Sequence, residues 1–223
     1  MIKTAKISLA ALITVLFAFN ANAIEVRVGV SAAYAQLEAS GTETLKDTSG
    51  VTSHTEQANA VIPSLFGEFA MDNGFGIGYD LISGSADLAG SVRSRTLDGN
   101  DSQDSGTNKA NAEVDGVSTL YLIKMFGNGL YIKAGLSEAD VNTLETLSSG
   151  STYGNKSVDG QMYGIGFERA NDSGIFIRAG VEYTDFDTLN LTSGVADAVT
   201  ATTNTIKADV DVVMAKFSIG KSF

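Results

Sequence analysis

The sequence predicts an all-β chain: an eight-stranded antiparallel up-and-down transmembrane β-barrel, preceded by a cleavable signal peptide. Three observations predict it. Eight segments alternate apolar and polar residues with a period of two. The connections between them alternate strictly between long and tight. Finally, 24 Gly and only 18% charged residues suit strands better than helices. A period of two marks a strand with two unlike faces.

Composition narrows the function. The chain has no Cys and one His, so thiolate chemistry, Cys-built metal centres and multi-His sites are excluded. A net charge of -11 and a pI near 4.4 argue against nucleic acid as a partner. No cofactor is expected, and no metal centre.

Residues 1–23 form the signal peptide. Lys3 and Lys6 supply the basic start, Ile7 to Phe19 is an uncharged apolar run, and Ala21-Asn22-Ala23 is the small-x-small cleavage pattern. The run is shorter than the ~20 apolar residues that a helix needs to cross a membrane. Cleavage after Ala23 leaves a barrel domain over 24–223 with a charge of -13.

The strands follow in order. The first, near 24–37, sets Ile24, Val26, Val28, Val30, Ala32 and Tyr34 against Glu25, Arg27, Gly29 and Ser31. The second, 59–71, carries Phe69 on one face and Glu68 on the other. Asp72-Asn73-Gly74 turns tightly into the third, 75–86, where Phe75, Ile77, Tyr79 and Leu81 oppose Gly76, Gly78 and Asp80. In the fourth, 112–126, Val117, Thr119, Tyr121 and Ile123 oppose Lys124. A two-residue Asn128-Gly129 turn leads to the fifth, 130–142, and places Lys124 opposite Lys133. The sixth, 159–170, has Tyr163, Ile165 and Phe167 against Gly164, Gly166 and Glu168. Asn171 to Gly174 joins it to the seventh, 175–185, where Ile175, Ile177, Ala179, Val181 and Tyr183 oppose Phe176, Arg178, Gly180, Glu182 and Thr184. The eighth, 207–223, sets Val213, Ala215, Phe217 and Ile219 against Met214, Lys216, Ser218 and Gly220.

The long connections, about 38–58, 87–111, 143–158 and 186–206, are all polar and fall at one end. Tight turns and both termini fall at the other. Membrane barrels have this asymmetry, with short periplasmic turns and long outer loops. The Gly-rich polar face suits a crowded lumen, so the apolar face is placed against lipid. The lumen charges are then Arg27, Lys124, Lys133, Arg178 and Lys216 against Glu25, Glu68, Asp80, Glu168 and Glu182, five of each sign. Unpaired, each would cost several kcal/mol, so an internal salt-bridge network is expected. Its role is structural filling, or a polar gate passing small ions. An eight-stranded interior is too narrow for a general solute pore. Tyr34, Tyr163 and Tyr183 toward the loops, and Phe69, Phe75, Phe217 and Phe223 toward the turns, fit two interfacial aromatic bands.

The chain closes on an alternating strand containing Phe217 and Ile219 and ending at Phe223. This resembles the closing strand of bacterial outer-membrane barrels, and the whole of 24–223 resembles the superfamily of the OmpA transmembrane domain, OmpX-like proteins and opacity-type surface antigens. The resemblance implies location in the bacterial outer membrane with periplasmic termini. It also implies recognition of Phe217, Ile219 and Phe223 by the barrel assembly machinery, and contact with outer-membrane lipid and lipopolysaccharide.

Chemistry is sparse. His54 falls in the first long loop, and Ser–Asp pairs in the second would give a Ser, His and Asp set like that of the lipid A palmitoyltransferases. Such an enzyme needs an apolar lumen, whereas the predicted lumen is charged. Asp98 to Asp104 departs from a Ca²⁺-loop pattern, with Gln103 at the Gly position and Lys109 at the Glu position. The expected function is a non-enzymatic surface-interaction barrel of adhesion or antigen type, whose acidic loops attract divalent cations. The alternative is a narrow ion channel gated by the lumen charges, and the third reading is lipid modification through His54.

Overall fold

The computed structural model describes residues 24–44, 51–87, 93–96, 107–144, 152–194 and 203–223. The signal peptide and the 98–104 stretch lie outside the described residues. The strands are β1 (Ile24–Thr44), β2 (Val51–Met71), β3 (Phe75–Ile82), β4 (Ser85–Asp87), β5 (Arg93–Thr96), β6 (Thr107–Ala110), β7 (Ala112–Met125), β8 (Leu130–Thr143), β9 (Lys156–Ala170), β10 (Ile175–Phe186), β11 (Leu189–Thr192) and β12 (Thr205–Ser222). Eight staves, β1, β2, β3, β7, β8, β9, β10 and β12, pair antiparallel in sequence order. The pairing of β1 with β12 closes the barrel. β4 continues the line of β3 along β7, β11 continues that of β10 along β12, and β5 and β6 pair only with each other.

The register fixes the barrel's shape. Stepping from Arg27 through Glu68, Gly78, Tyr121, Gly135, Met162, Thr184 and Val212 returns to β1 at Leu37, a stagger of ten residues. Eight strands with that stagger tilt by about 40° and leave an interior only wide enough for side chains.

The three tight turns share one design. In each, a Gly ends a three-residue loop with positive φ: 80° at Gly74, 89° at Gly129 and 79° at Gly174. Each Gly N–H donates back across the turn, to Met71, Phe126 or Asn171 O, at 2.8–2.9 Å. An Asn side chain bonds the chain just beyond: Asn73 Oδ1 accepts from Phe75 N, and Asn128 Oδ1 from Leu130 N, both at 3.0 Å. A side chain other than Gly would be strained in this left-handed backbone.

The second turn corrects the sequence-based register. Phe126 N donates to Leu130 O at 2.8 Å, so the loop is Gly127-Asn128-Gly129, three residues and not two. Lys124 therefore pairs with Ile132, and Lys133 with Ile123. A one-residue slip exchanges the two faces of a strand. Tyr121 and Ile123 are buried in the lumen, and Lys124 joins Leu120 and Leu122 on the outside. A bulge between Asp115 and Ser118, with Gly116 at φ 62°, reverses the parity again. It lets Val114, at an even position, and Tyr121, at an odd one, both be buried.

Beyond the membrane band the strands run further than expected. β1 and β2 pair continuously to Thr44↔Val51, so His54 lies on a strand and not in a loop. Both faces are polar there, and the contrast that marks a strand in sequence is absent. Pro63, the only Pro in the chain, sits where β2 parts from β3, whose ladder ends at Ser64↔Ile82. Val26 and Phe223 exchange backbone bonds, so odd β2 residues direct their backbone groups toward β3. Pro63 removes an N–H on the side where pairing ceases.

Candidate functional site

Polarity inverts along every long stave. Near the turns, β1 exposes Val26, Val28 and Val30 and buries Arg27 and Ser31; past Tyr34 it exposes Gln36 and Glu38 and buries Ala35 and Leu37. β12 does the same, with Phe217 and Val213 outward before Asp211 and Asp209, and Lys216 inward before Val212 and Val210. β8 passes from Leu136 to Glu138 outside, and from Lys133 to Ala139 and Val141 inside. The exposed apolar stretch of β1, Ile24 to Tyr34, is about 25 Å tall at a rise of ~3.3 Å per residue and a ~40° tilt. That matches the apolar band of a membrane-spanning barrel. The outward aromatics include Tyr34, Tyr163 and Tyr183 at the loop-side limit, and Phe69, Phe75, Phe126 and Phe223 at the turn side. Phe217 is outward but lies mid-band, beside Ala32 and Ala179.

The turn-side lumen holds two charge clusters. In the first, Arg178 grips Glu68 with both terminal nitrogens, at 2.5 and 2.6 Å, and donates Nε–H to Glu168 at 2.5 Å. Arg27 bonds Glu168, lies 3.7 Å from Glu68, and meets the half-exposed Glu25 at 3.6 Å on the rim. Tyr121 Oη–H donates to Glu68 at 2.6 Å. Both guanidiniums lie over the Phe176 ring, with Arg27 at 4.1 Å and Arg178 at 4.9 Å from its centroid. In the second cluster Lys133 bonds Glu182 at 3.0 Å, and Lys216 bridges Asp80 at 2.5 Å and Glu182 at 3.4 Å. The ion-paired lumen set is four cations, Arg27, Lys133, Arg178 and Lys216, with four anions, Glu68, Asp80, Glu182 and the slightly exposed Glu168.

Lys124 is not among them. Its Nζ donates to the Asn73 carbonyl at 2.6 Å and lies 4.2 Å from the Phe75 ring centroid, on the outside of the barrel. The physical reason is the extra turn residue, which changes the face that Lys124 occupies.

Inward glycines make room for the rings. A Cβ on Gly166 or Gly180 would collide with Tyr131, and one on Gly78 with Tyr121. Gly180→Val is expected to destabilise the barrel by about 1–3 kcal/mol through overpacking, read as a lower midpoint in a heat-modifiability gel series. An unchanged midpoint would mean that Tyr131 and the Ile165 backbone carbonyl can both move aside.

Above the charges comes a hydroxyl tier, with Ser31–Ser218 at 2.8 Å and Thr119–Ser137 at 2.7 Å. The loop-side half is then apolar and packed, with Leu37, Ile82, Phe186, Leu191, Val212 and Met214 buried among alanines and valines. The expectation of a polar lumen throughout fails here. Outside the membrane the wall faces water, so the barrel becomes an ordinary globular one with its apolar side inward. The switch in phase of the hydrophobic alternation after Tyr34 is the sequence signal that would have located this core.

His54 Nε2 meets Glu56 Oε1 at 2.7 Å. Ser53 and Thr55 project to the opposite face of β2, as alternation requires. Phe217 and Ile219 lie on the lipid-facing surface of β12, and Phe223 is bonded to Val26 at the seam.

No family model and no curated protein matches the sequence. Solved structures do. The chain is similar to outer membrane protein OprG from Pseudomonas aeruginosa, at 12% identity over 89% of this chain and 96% of that one, with a TM-score of 0.57. It is also similar to outer membrane protein AlkL in lipid bilayers, at 10% identity, 91% of each chain and a TM-score of 0.49. For Neisserial surface protein A the identity is 11%, the coverage 89% and 97%, and the TM-score 0.47.

Proposed function

We propose, from a chain that is a closed eight-stranded β-barrel of outer-membrane type, that it works as a sealed surface barrel of the bacterial outer membrane. The wall anchors it, and the strands and loops beyond the membrane make the contacts. The carrying observation is the double filling of the lumen. Two ion-paired clusters occupy the turn side, and a packed apolar core closes the loop side. An ion entering from the loops would have to pass the buried alkyl side chains of that core before reaching the enclosed charges, and stripping its water there has no compensation. This favours adhesion or antigen-like contact over conduction. Wild-type protein in planar bilayers is expected to show no stable unitary conductance. Reproducible channel steps, altered by Lys216→Ala, would support the channel reading instead.

The partners we propose are outer-membrane lipid and lipopolysaccharide, with the assembly machinery reading Phe217, Ile219 and Phe223. We assign no catalytic role to His54, whose contact is Glu56. At the loop-side membrane limit, acids oppose acids across neighbouring strands: Asp211 lies between Glu38 and Asp185, Glu138 faces Asp159, and Asp140 faces Asp115. Like charges directly opposite are destabilising, and divalent cations bridging to lipopolysaccharide phosphate would relieve them. Chelation in lipopolysaccharide-containing membranes is therefore expected to lower the unfolding midpoint. A midpoint unmoved by chelator would remove this bridging.

A further inference from the structure

We propose that Lys124, Arg169 and Lys221 form a collar that binds the headgroup phosphates of phospholipids in the turn-side leaflet. The proposal rests on the membrane placement above and adds a lipid-binding site to it.

The three residues repeat one arrangement around the barrel. Each comes from the stave that follows a hairpin and reaches back to that hairpin's turn. Lys124 of β7 donates to Asn73 O at 2.6 Å, beside the β2–β3 turn. Arg169 of β9 donates through Nη1 to Asn128 O at 3.2 Å, beside the β7–β8 turn. Lys221 of β12 donates to Ser173 O, beside the β9–β10 turn. The cations thus recur on every second stave and at one level.

That level is the turn-side limit of the lipid-facing band. Lys124 follows Leu120 and Leu122 on the outside of β7, Arg169 follows Ile165 and Phe167 on β9, and Lys221 follows Phe217 and Ile219 on β12. From these positions up to the loop-side limit, no outward residue of the eight staves carries a charge. Aromatic rings support both ammonium groups, with Lys124 at 4.2 Å from the Phe75 ring centroid and Lys221 at 5.8 Å from that of Phe223. This is the geometry of cations held at a headgroup plane, with their stems over the apolar band.

Pairing separates these cations from those inside. Each enclosed cation lies within salt-bridge distance of an acid. Among the described residues, Lys124, Arg169 and Lys221 have no acid within that distance, although Asp72 and Asp172 sit in the neighbouring turns. Each spends one donor on a turn carbonyl. An ammonium has two more N–H groups and a guanidinium four more. A phosphodiester supplies the missing charge and acceptor oxygens at that height. The loop-side limit carries acids instead, so the outer wall presents opposite charge to the two leaflets.

The test uses the whole mature barrel refolded into phosphatidylcholine vesicles with or without phosphatidylglycerol, and follows the midpoint of heat-modifiable migration. Phosphatidylglycerol is expected to raise the wild-type midpoint by several degrees. The K124Q/R169Q/K221Q variant is expected to lose most of that rise, and the charge-retaining K124R/R169K/K221R variant to keep it. If the triple glutamine variant does not fold, Arg169→Gln and Lys221→Gln singly should each lose part of the rise. An equal rise in wild type and glutamine variants would overturn the proposal, as would an equal rise from inorganic phosphate in phosphatidylcholine alone. A wild-type protein with no heat-modifiable form in any vesicle would overturn the membrane placement itself, a distinguishable failure.

Discussion

Arg178→Ala is expected to destabilise the barrel by about 3–5 kcal/mol, because it leaves the buried Glu68 carboxylate without its main partner and takes from Glu168 one of its two guanidiniums. Arg178 holds both oxygens of Glu68 and one of Glu168, and the Glu68 side chain is 0% exposed. Arg27 cannot replace it. Its nearest approach to Glu68 is 3.7 Å, and it is already engaged by Glu168. The measurement is urea unfolding in lipid vesicles, followed by the fraction of the compact gel form. The partner variant sharpens the result: Glu68→Gln with Arg178→Ala should recover part of the loss, since one stranded charge is removed. A double variant no better than the single would mean that the cost lies in lost packing against Phe66 and Phe176, which the guanidinium covers at 5.3 and 4.9 Å.

The second large effect tests where the membrane ends. Val30 and Gln36 lie on the same outward face of β1, six residues apart. Val30→Lys places a charge in the lipid-facing band and is expected to cost about 2–4 kcal/mol if it reaches the bilayer midplane. Gln36→Lys lies beyond the band, near Glu38, and is expected to change stability by no more than about 0.5 kcal/mol. Vesicle unfolding compares the two directly. Equal costs would mean that the band extends past Tyr34, contrary to the inversion of polarity there. The inward face gives the complementary result: Leu37→Ala should cost about 2–5 kcal/mol by opening the loop-side core, although Leu37 lies outside the membrane.

Much of the architecture was legible in the sequence. Seven of the eight expected staves alternate as their residues indicate, because lipid outside and charge inside give a strong contrast at every second position. Asn-Gly and Asn-x-x-Gly located the tight turns, since only certain residues tolerate their backbone. The extended strands beyond the membrane left a weaker trace. β1 past Leu37 alternates Glu38, Ser40 and Thr42 with Ala39, Gly41 and Glu43, and neither set is clearly apolar. The loop-side core is masked in the sequence for a related reason. Its alternation is present in Ala33, Ala35 and Leu37, but its phase is opposite to that of the band below.

What the sequence determines by itself is the period of each strand and the place of each tight turn, because backbone geometry and solvent contrast act within a few residues. What only the tertiary structure decides is the absolute phase and the pairing across the lumen. Period two carries no memory through a turn, so one added residue at Gly127 moved Lys124 to the outside and Tyr121 to the inside. The ion pairs join staves far apart in the ring, as Glu68 to Arg178 and Asp80 to Lys216 do. Which charge meets which depends on the ten-residue stagger accumulated around eight strands, a property of the closed ring that no single segment contains.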